Sequence, residues 1–284
     1  MIDRSTCGVG VAAALAWGAP AMAQEPPALE AKPAPWRLQA TPGAWYVGLG
    51  GDLTMPGPSG DGIPSTNTMM DLIDMDLDGP RLAPALRVDA RLDPWRLTVS
   101  GFSTSAESRW SAPSPLLFGT LAIGAGESVE SQIDYAGLEF ALGYRVWEKS
   151  TGVSPAGRVK AQPSATVFVG ARLHDVGVRS TRTLGPVTGT QDVNEAFAEP
   201  IAGLRLELDV YERATLDLQV DAGTSGASTS WSIWVGFQYR PLDWLGLYVG
   251  YRHLGFDVKT GSGLDRFRWE GSAAGLGAGM VLRF

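Results

Sequence analysis

From Trp45 onward the apolar residues of this chain recur at every second position, the period of a strand with one face in an apolar medium. Trp45, Val47, Leu49, Gly51 and Leu53 share a face in the first such segment. Leu82, Pro84, Leu86, Val88 and Ala90 do so in the second, with Arg87, Asp89 and Arg91 between them. Trp95, Leu97 and Val99 alternate with Arg96, Thr98 and Ser100 in the third, and Leu138, Phe140, Leu142, Tyr144 and Val146 oppose Glu139 and Arg145 in the fourth. The fifth sets Val167, Val169, Ala171 and Leu173 against Thr166, Phe168, Gly170 and Arg172. Leu204 to Val210 alternate with Arg205, Glu207 and Asp209 in the sixth, and Leu216, Leu218 and Val220 with Asp217, Gln219 and Asp221 in the seventh. Trp231 to Tyr239, Leu245 to Tyr251 and Leu276 to Phe284 complete the set.

The connections between these segments are of two kinds. Those at Leu92-Asp93-Pro94, Tyr211-Glu212-Arg213 and Pro241-Leu242-Asp243 are tight. Those at 54–80, 105–130, 175–197 and 257–268 are long and rich in Gly, Ser, Thr and Asp, with a shorter one at 223–229; the long link at 148–163 breaks the rule. Short turns on one rim and long loops on the other is the construction of a bacterial outer-membrane barrel, short turns periplasmic. Aromatic placement points the same way. Trp45, Trp95, Trp147, Tyr211, Tyr239, Trp244 and Phe284 fall at strand ends on the short-turn rim, and Trp110, Trp231 and Trp269 near the other. Such rings favour the headgroup layer, apolar body inward and donor toward water. The pattern predicts an all-β fold: a transmembrane antiparallel up-and-down β-barrel of about ten strands, with eight as the alternative and a soluble β-sandwich as the competing fold.

The ending VGYRHLGFDVKTGSGLDRFRWEGSAAGLGAGMVLRF resembles the last hairpin of small outer-membrane β-barrels of the OmpA/OmpW-like type, and DLIDMDLDGPRLAPALRVDARLDPWRLTVSGF resembles the first hairpin of uncharacterised members. The resemblance implies that Phe284 belongs to the signal read by the barrel-assembly machinery. It implies a shared fold and supplies no activity, since these families host many functions.

Composition narrows the partners. The 284 residues are 44% hydrophobic with 10 tryptophans, too apolar for a disordered chain, and past residue 24 every apolar run is too short for a membrane helix. A formal charge of −7 leaves no basic stripe for nucleic acid, so the expected surroundings are outer-membrane lipid and, during biogenesis, the assembly machinery. Arg4, the apolar run Gly8 to Trp17 and Ala21-Met22-Ala23 read as a secretory signal over 1–23, cleaved before Gln24 and carrying away Cys7, the only cysteine. Residues 24–41, rich in proline and alanine, read as an extended periplasmic tether, leaving 42–284 as the barrel of a Gram-negative outer membrane.

If the apolar face meets lipid, the other face gathers charge in the lumen: Arg87, Asp89, Arg91, Glu139, Arg145, Arg172, Arg205, Glu207, Asp209, Asp217, Asp221, Arg240, Arg252 and Arg283. Ten strands enclose a narrow space, in which mixed charges pair. The expected role is therefore structural or surface-interacting, with a salt-bridged lumen and loops 54–80 and 105–130 displayed. A narrow channel for small solutes or hydrophobic compounds is the alternative.

Asp74-Met75-Asp76-Leu77-Asp78-Gly79 opens like a calcium loop, but its twelfth position is Ala85 instead of a bidentate carboxylate. Asp74, Asp76 and Asp78 therefore read as an acidic rim, and neither metal nor cofactor is expected. An omptin-type hydrolase sets an Asp/His pair and an Asp/Asp pair facing each other across the outer mouth; here Asp74 and Asp76, and separately His174 and Asp175, would lie near that rim. Adjacent strand residues point to opposite faces, so His174 and Asp175 diverge and no catalytic residue is assigned. The histidine–serine pattern of a lipid A deacylase is absent around His174 and His253, and His253 follows the apolar register as an interfacial residue. Gly271, Gly275, Gly277 and Gly279 read as lumen-facing positions that make room for bulky neighbours such as Phe168 and Trp234.

Overall fold

The ten period-two segments become ten antiparallel strands: β1 (Arg37–Thr54), β2 (Arg81–Leu92), β3 (Trp95–Ser111), β4 (Ser128–Glu148), β5 (Val159–Leu184), β6 (Val187–Val210), β7 (Ala214–Thr224), β8 (Ser228–Tyr239), β9 (Leu245–Thr260) and β10 (Phe267–Arg283). The structure is a computed structural model describing residues 37–57, 68–153, 159–184 and 187–284. All of these lie in one compact unit, Ala34–Phe284, and the expected signal peptide and most of the tether fall outside the described residues. Each strand pairs with its neighbours in sequence, and β1 also pairs with β10, from Gln39 opposite Arg283 to Thr54 opposite Arg268. The sheet is thus a closed up-and-down barrel of ten strands, which leaves no edge for lipid to desolvate.

The lipid face is apolar and fully presented. Leu82 is 73% exposed, Val169 61%, Leu247 62% and Leu276 60%, values that a water-soluble fold would not leave side by side around its circumference. Trp95, Trp147, Tyr211, Tyr239 and Trp244 are exposed at the short-turn rim. A bulge between Arg145 and Trp147 turns both Val146 and Trp147 outward, although the plain alternation would place them on opposite faces.

Along the same strands the apolar face changes sides. On β5 the residues Val167, Val169 and Leu173 face outward, whereas Val176 and Val178, on the opposite parity, are buried inside. Leu138, Phe140 and Leu142 of β4 face out, and Tyr135, Ile133 and Val129 face in. β9 and β10 repeat the change: Leu247 and Val249 give way to Leu254, Phe256 and Val258, and Leu276 and Met280 to Ala273, Trp269 and Phe267. Within lipid the apolar set points out; beyond it, water lies outside and the apolar set points in. Because a shift of one residue moves the whole set to the other face, the change of parity marks the membrane boundary on β4, β5, β9 and β10.

This reversal corrects four expectations. The stretch 175–197, expected as a loop, is almost wholly strand, and the strands also run into both ends of 105–130 and 257–268, since the pattern continues there in the opposite phase. The face Trp45, Val47, Leu49 and Leu53 points inward at 0–5% exposure, and β1 meets lipid through Leu38 and Tyr46 instead. The expected tether boundary at 41 moves as well: β1 starts at Arg37, so the last residues assigned to the tether belong to that strand. Finally, Trp45, Trp110 and Trp269 belong to an interior core and not to an aromatic girdle; of the outer-rim trio only Trp231 faces out, with His253 stacked on it at 4.7 Å.

Candidate functional site

Everything that could act on a solute lies in or around the lumen, which is built in levels. At the short-turn rim a polar vestibule of about 150 Å³ is lined by Arg37, Arg91, Arg145, Arg240 and Arg283 together with Asp93, Glu148 and Asp209. Arg145 pairs there with Asp93 and Glu148, Arg240 lies 3.5 Å from Asp209, and Arg283 donates to the Gln39 side chain at 2.9 Å.

Above the vestibule two buried ion clusters fill the barrel. In the first, Arg96 donates to Asp89 at 2.9 Å and to Glu207 at 2.6 Å. Arg205 holds Asp217 at 2.6 Å, Glu207 at 3.1 Å and Asp89 at 3.3 Å. Arg87 and Arg91 complete it on Asp89 and Glu207. In the second, Arg172 stands among Glu139 at 3.1 Å, Asp221 at 2.5 Å and Glu199 at 3.8 Å, and Arg252 reaches Glu139 at 3.1 Å. The first holds four arginines against three carboxylates and the second two against three, so the clusters balance as a pair. Gln219 joins them, accepting from Arg87 at 3.3 Å and donating to Glu139 at 3.3 Å. Strands place these groups because the inward parity of β2, β5, β6 and β7 carries them, with Phe168 of β5 and Ile201 of β6 as apolar members of the same face.

Of the fourteen lumen residues read from the sequence, Arg87, Asp89, Arg91, Glu139, Arg172, Arg205, Glu207, Asp217, Asp221 and Arg252 lie within these clusters, and Arg145, Asp209, Arg240 and Arg283 line the vestibule. The sequence reading omitted Arg96, Gln219 and Glu199. Arg96 and Gln219 already stood on the polar parity of their strands. Glu199 lay between the connection read at 175–197 and the strand read from Leu204, although it continues the parity of Arg205 and Glu207.

The outer end of the lumen is closed by an apolar core. Met55, Leu72, Met75, Leu77 and Phe118 are at 0% exposure and pack with Trp269, Phe267, Val258 and Val129 of the barrel wall. The described parts of the loops expected to be displayed therefore fold over and into the mouth. The Asp74–Gly79 segment is one of their turns: the Leu77 amide donates to the Leu72 carbonyl at 2.9 Å, and its apolar residues go down while Asp74 and Asp76 stay exposed. Among the described residues no three His, Cys, Asp or Glu side chains converge on a metal-sized site. Outside the lipid span, Arg268 grips Asp257 with two hydrogen bonds of 2.8 and 2.9 Å, which hold the Asp257 carboxyl below its usual range and raise Arg268.

His174 sits between the charged and apolar levels, not at the rim. Its Nδ1 lies 2.8 Å from the Tyr135 hydroxyl and its Nε2 3.3 Å from Glu199, whereas Asp175 is exposed on the outer face. Glu199 in turn accepts from Ser228 at 3.0 Å and from Ser230. The glycines of β10 also differ from expectation in their neighbours. A Cβ on Gly277 would approach Tyr248, and one on Gly271 would strike Trp269; Phe168 packs instead over Gly203, and Trp234 over Gly236.

No protein-family model and no curated protein matches the chain. Among solved structures it is similar to Neisserial surface protein A, at 13% identity over 88% of this chain and 97% of that one, with a TM-score of 0.33. It is also similar to the outer membrane protease OmpT from Escherichia coli, at 8% identity over 87% and 97%, with a TM-score of 0.43. The attachment invasion locus protein Ail of Yersinia pestis aligns at 10% identity over 88% and 99%, with a TM-score of 0.33.

Proposed function

We propose that this chain is a non-conducting barrel of the Gram-negative outer membrane that carries a rigid β-structured surface out of the bilayer. The observation that supports it is the double closure of the lumen, by buried ion pairs at one level and an apolar core at the next. A solute would have to break pairs that are themselves costly to separate. The strands extend where such a role needs them to. About 9–11 residues cross a bilayer, yet β5 has 26 and β6 has 24, paired from Val210 opposite Ala161 to Val187 opposite Leu184. Their excess lies on the long-loop side, with Asp175, Arg179 and Asp192 facing water. Tight turns mark the periplasmic rim. There Phe284, hydrogen-bonded to Leu38 and pointing to lipid, is the residue offered to the assembly machinery.

Orientation and exposure are tested by cysteine substitution in intact cells. A membrane-impermeant maleimide is expected to label Ile73→Cys, which lies in the outer turn, and to leave Arg213→Cys unlabelled until the outer membrane is opened. Labelling of Arg213→Cys alone would overturn the proposed surface role.

A further inference from the structure

Between the charged clusters and the apolar core lies a cavity that the sealing role does not use. It offers about 60 Å³ to the centres of water-sized spheres, several times what one water occupies, and lies on the β9–β10–β1–β2 side of the lumen. Its walls are aromatic: Trp45 meets Phe102 edge to face at 4.9 Å, and Trp234 stacks on Tyr248 at 5.3 Å. Two guanidinium groups border the same space, Arg252 at 5.8 Å from the rings of Trp45 and Phe102 and Arg87 at 5.6 Å from Trp234.

The charged lining carries two cations, Arg87 and Arg252, against one carboxylate, Glu139. Among the described residues Arg252 shares Glu139 with Arg172, and Arg87 shares Asp89 with Arg96 and Arg205. Aromatic walls with a few convergent polar groups are the usual lining of a small-molecule site. The floor is bare: a Cβ on Gly277 would meet nothing nearer than 3.6 Å, so the backbone would accept a side chain where the chain keeps none.

We propose that this cavity binds a small aromatic carboxylate, its ring between the aromatic walls and its carboxylate on the two arginines. Flat apolar walls fit a ring, and guanidinium N–H groups fit an acceptor-only anion. A single inward residue on each of two strands separates the cavity from the vestibule: Gln39 between Thr41 and Arg37 on β1, and Asp89 between Arg87 and Arg91 on β2. Gln39 is held by Gln238 across the lumen at 3.4 Å and by Arg283 at 2.9 Å.

The test is calorimetric titration of benzoate into the full barrel refolded in detergent, with acetate and benzyl alcohol as probes that each lack one half of the ligand. Saturable one-to-one binding of benzoate is expected, with both half-probes weaker by about tenfold or more. Gly277→Leu, which fills the cavity, is expected to weaken benzoate by at least about tenfold while keeping the heat-modifiable gel shift of a folded barrel. Should that variant not fold, Ala85→Leu, which fills the same cavity from β2, is expected to weaken binding by about tenfold or more. No saturable benzoate binding in the millimolar range, acetate binding as tightly as benzoate, or benzoate binding unchanged in the folded variants overturns the proposal.

Discussion

Arg172 carries the second ion cluster almost alone. Its side chain is 2% exposed, and three carboxylates, Glu139, Asp221 and Glu199, surround it. Removing it would leave Asp221 without an ion-pair partner among the described residues, and Glu139 with Arg252 alone, in a medium that cannot solvate them. Arg172→Gln is therefore expected to cost about 3–5 kcal/mol in urea unfolding from lipid vesicles. Arg179→Gln is the control. That residue also has a carboxylate partner, Asp192 at 3.1 Å, but its side chain is 58% exposed, and the change should stay within about 0.5 kcal/mol. At the β6–β7 turn the strain is of the opposite kind, since Tyr211 and Glu212 both adopt left-handed backbone, at φ of 51° and 58°. A two-residue turn of this hand matches the twist of the strands it joins, which is why side chains that dislike the conformation are held there. Glu212→Gly should stabilise the barrel by about 0.5–1 kcal/mol in the same unfolding measurement. The hydrogen bond from Arg240 to the residue 212 carbonyl survives that change, because it uses the backbone.

At the scale of the strand, the lipid-spanning halves of β2 to β10 were legible from alternation, because lipid rewards one apolar face and the lumen one polar face. The outer halves were not, because period two reports an apolar medium without saying on which side it lies. In Val176 and Val178 the medium is a packed core, and the same alternation in opposite phase reads as a strand that has ended. β1 shows the cost of that ambiguity: its more apolar face, Trp45 to Leu53, packs on the loop core, and the lipid side is the sparse series ending at Tyr46. Nitroxide scanning from residue 44 to 50 in vesicles decides between the two faces. Oxygen accessibility should peak at 46, with minima at 45 and 47; peaks at 45 and 47 would restore the face suggested by alternation. The lumen charges were legible for a related reason, since a charged residue on the lipid parity would be prohibitively costly. Glu199 was missed only because its strand was cut short. The Tyr135–His174–Glu199 contacts were beyond reach, because they depend on which levels of three strands coincide, and that follows from register.

For the whole molecule, the parity change and the charge network together describe a barrel with two interiors. Where lipid surrounds the wall, the interior is polar and held by balanced ion pairs. Where water surrounds it, the interior is an ordinary hydrophobic core, made by loop residues such as Met55, Leu72 and Phe118 against Trp269 and Phe267. Each interior satisfies what its surroundings leave unsatisfied, and their stacking closes the lumen. Conductance of the purified barrel in planar bilayers tests that closure most directly. A closed lumen gives a quiet baseline under applied voltage, even when many barrels have inserted; discrete ion steps from the unaltered protein would show it open.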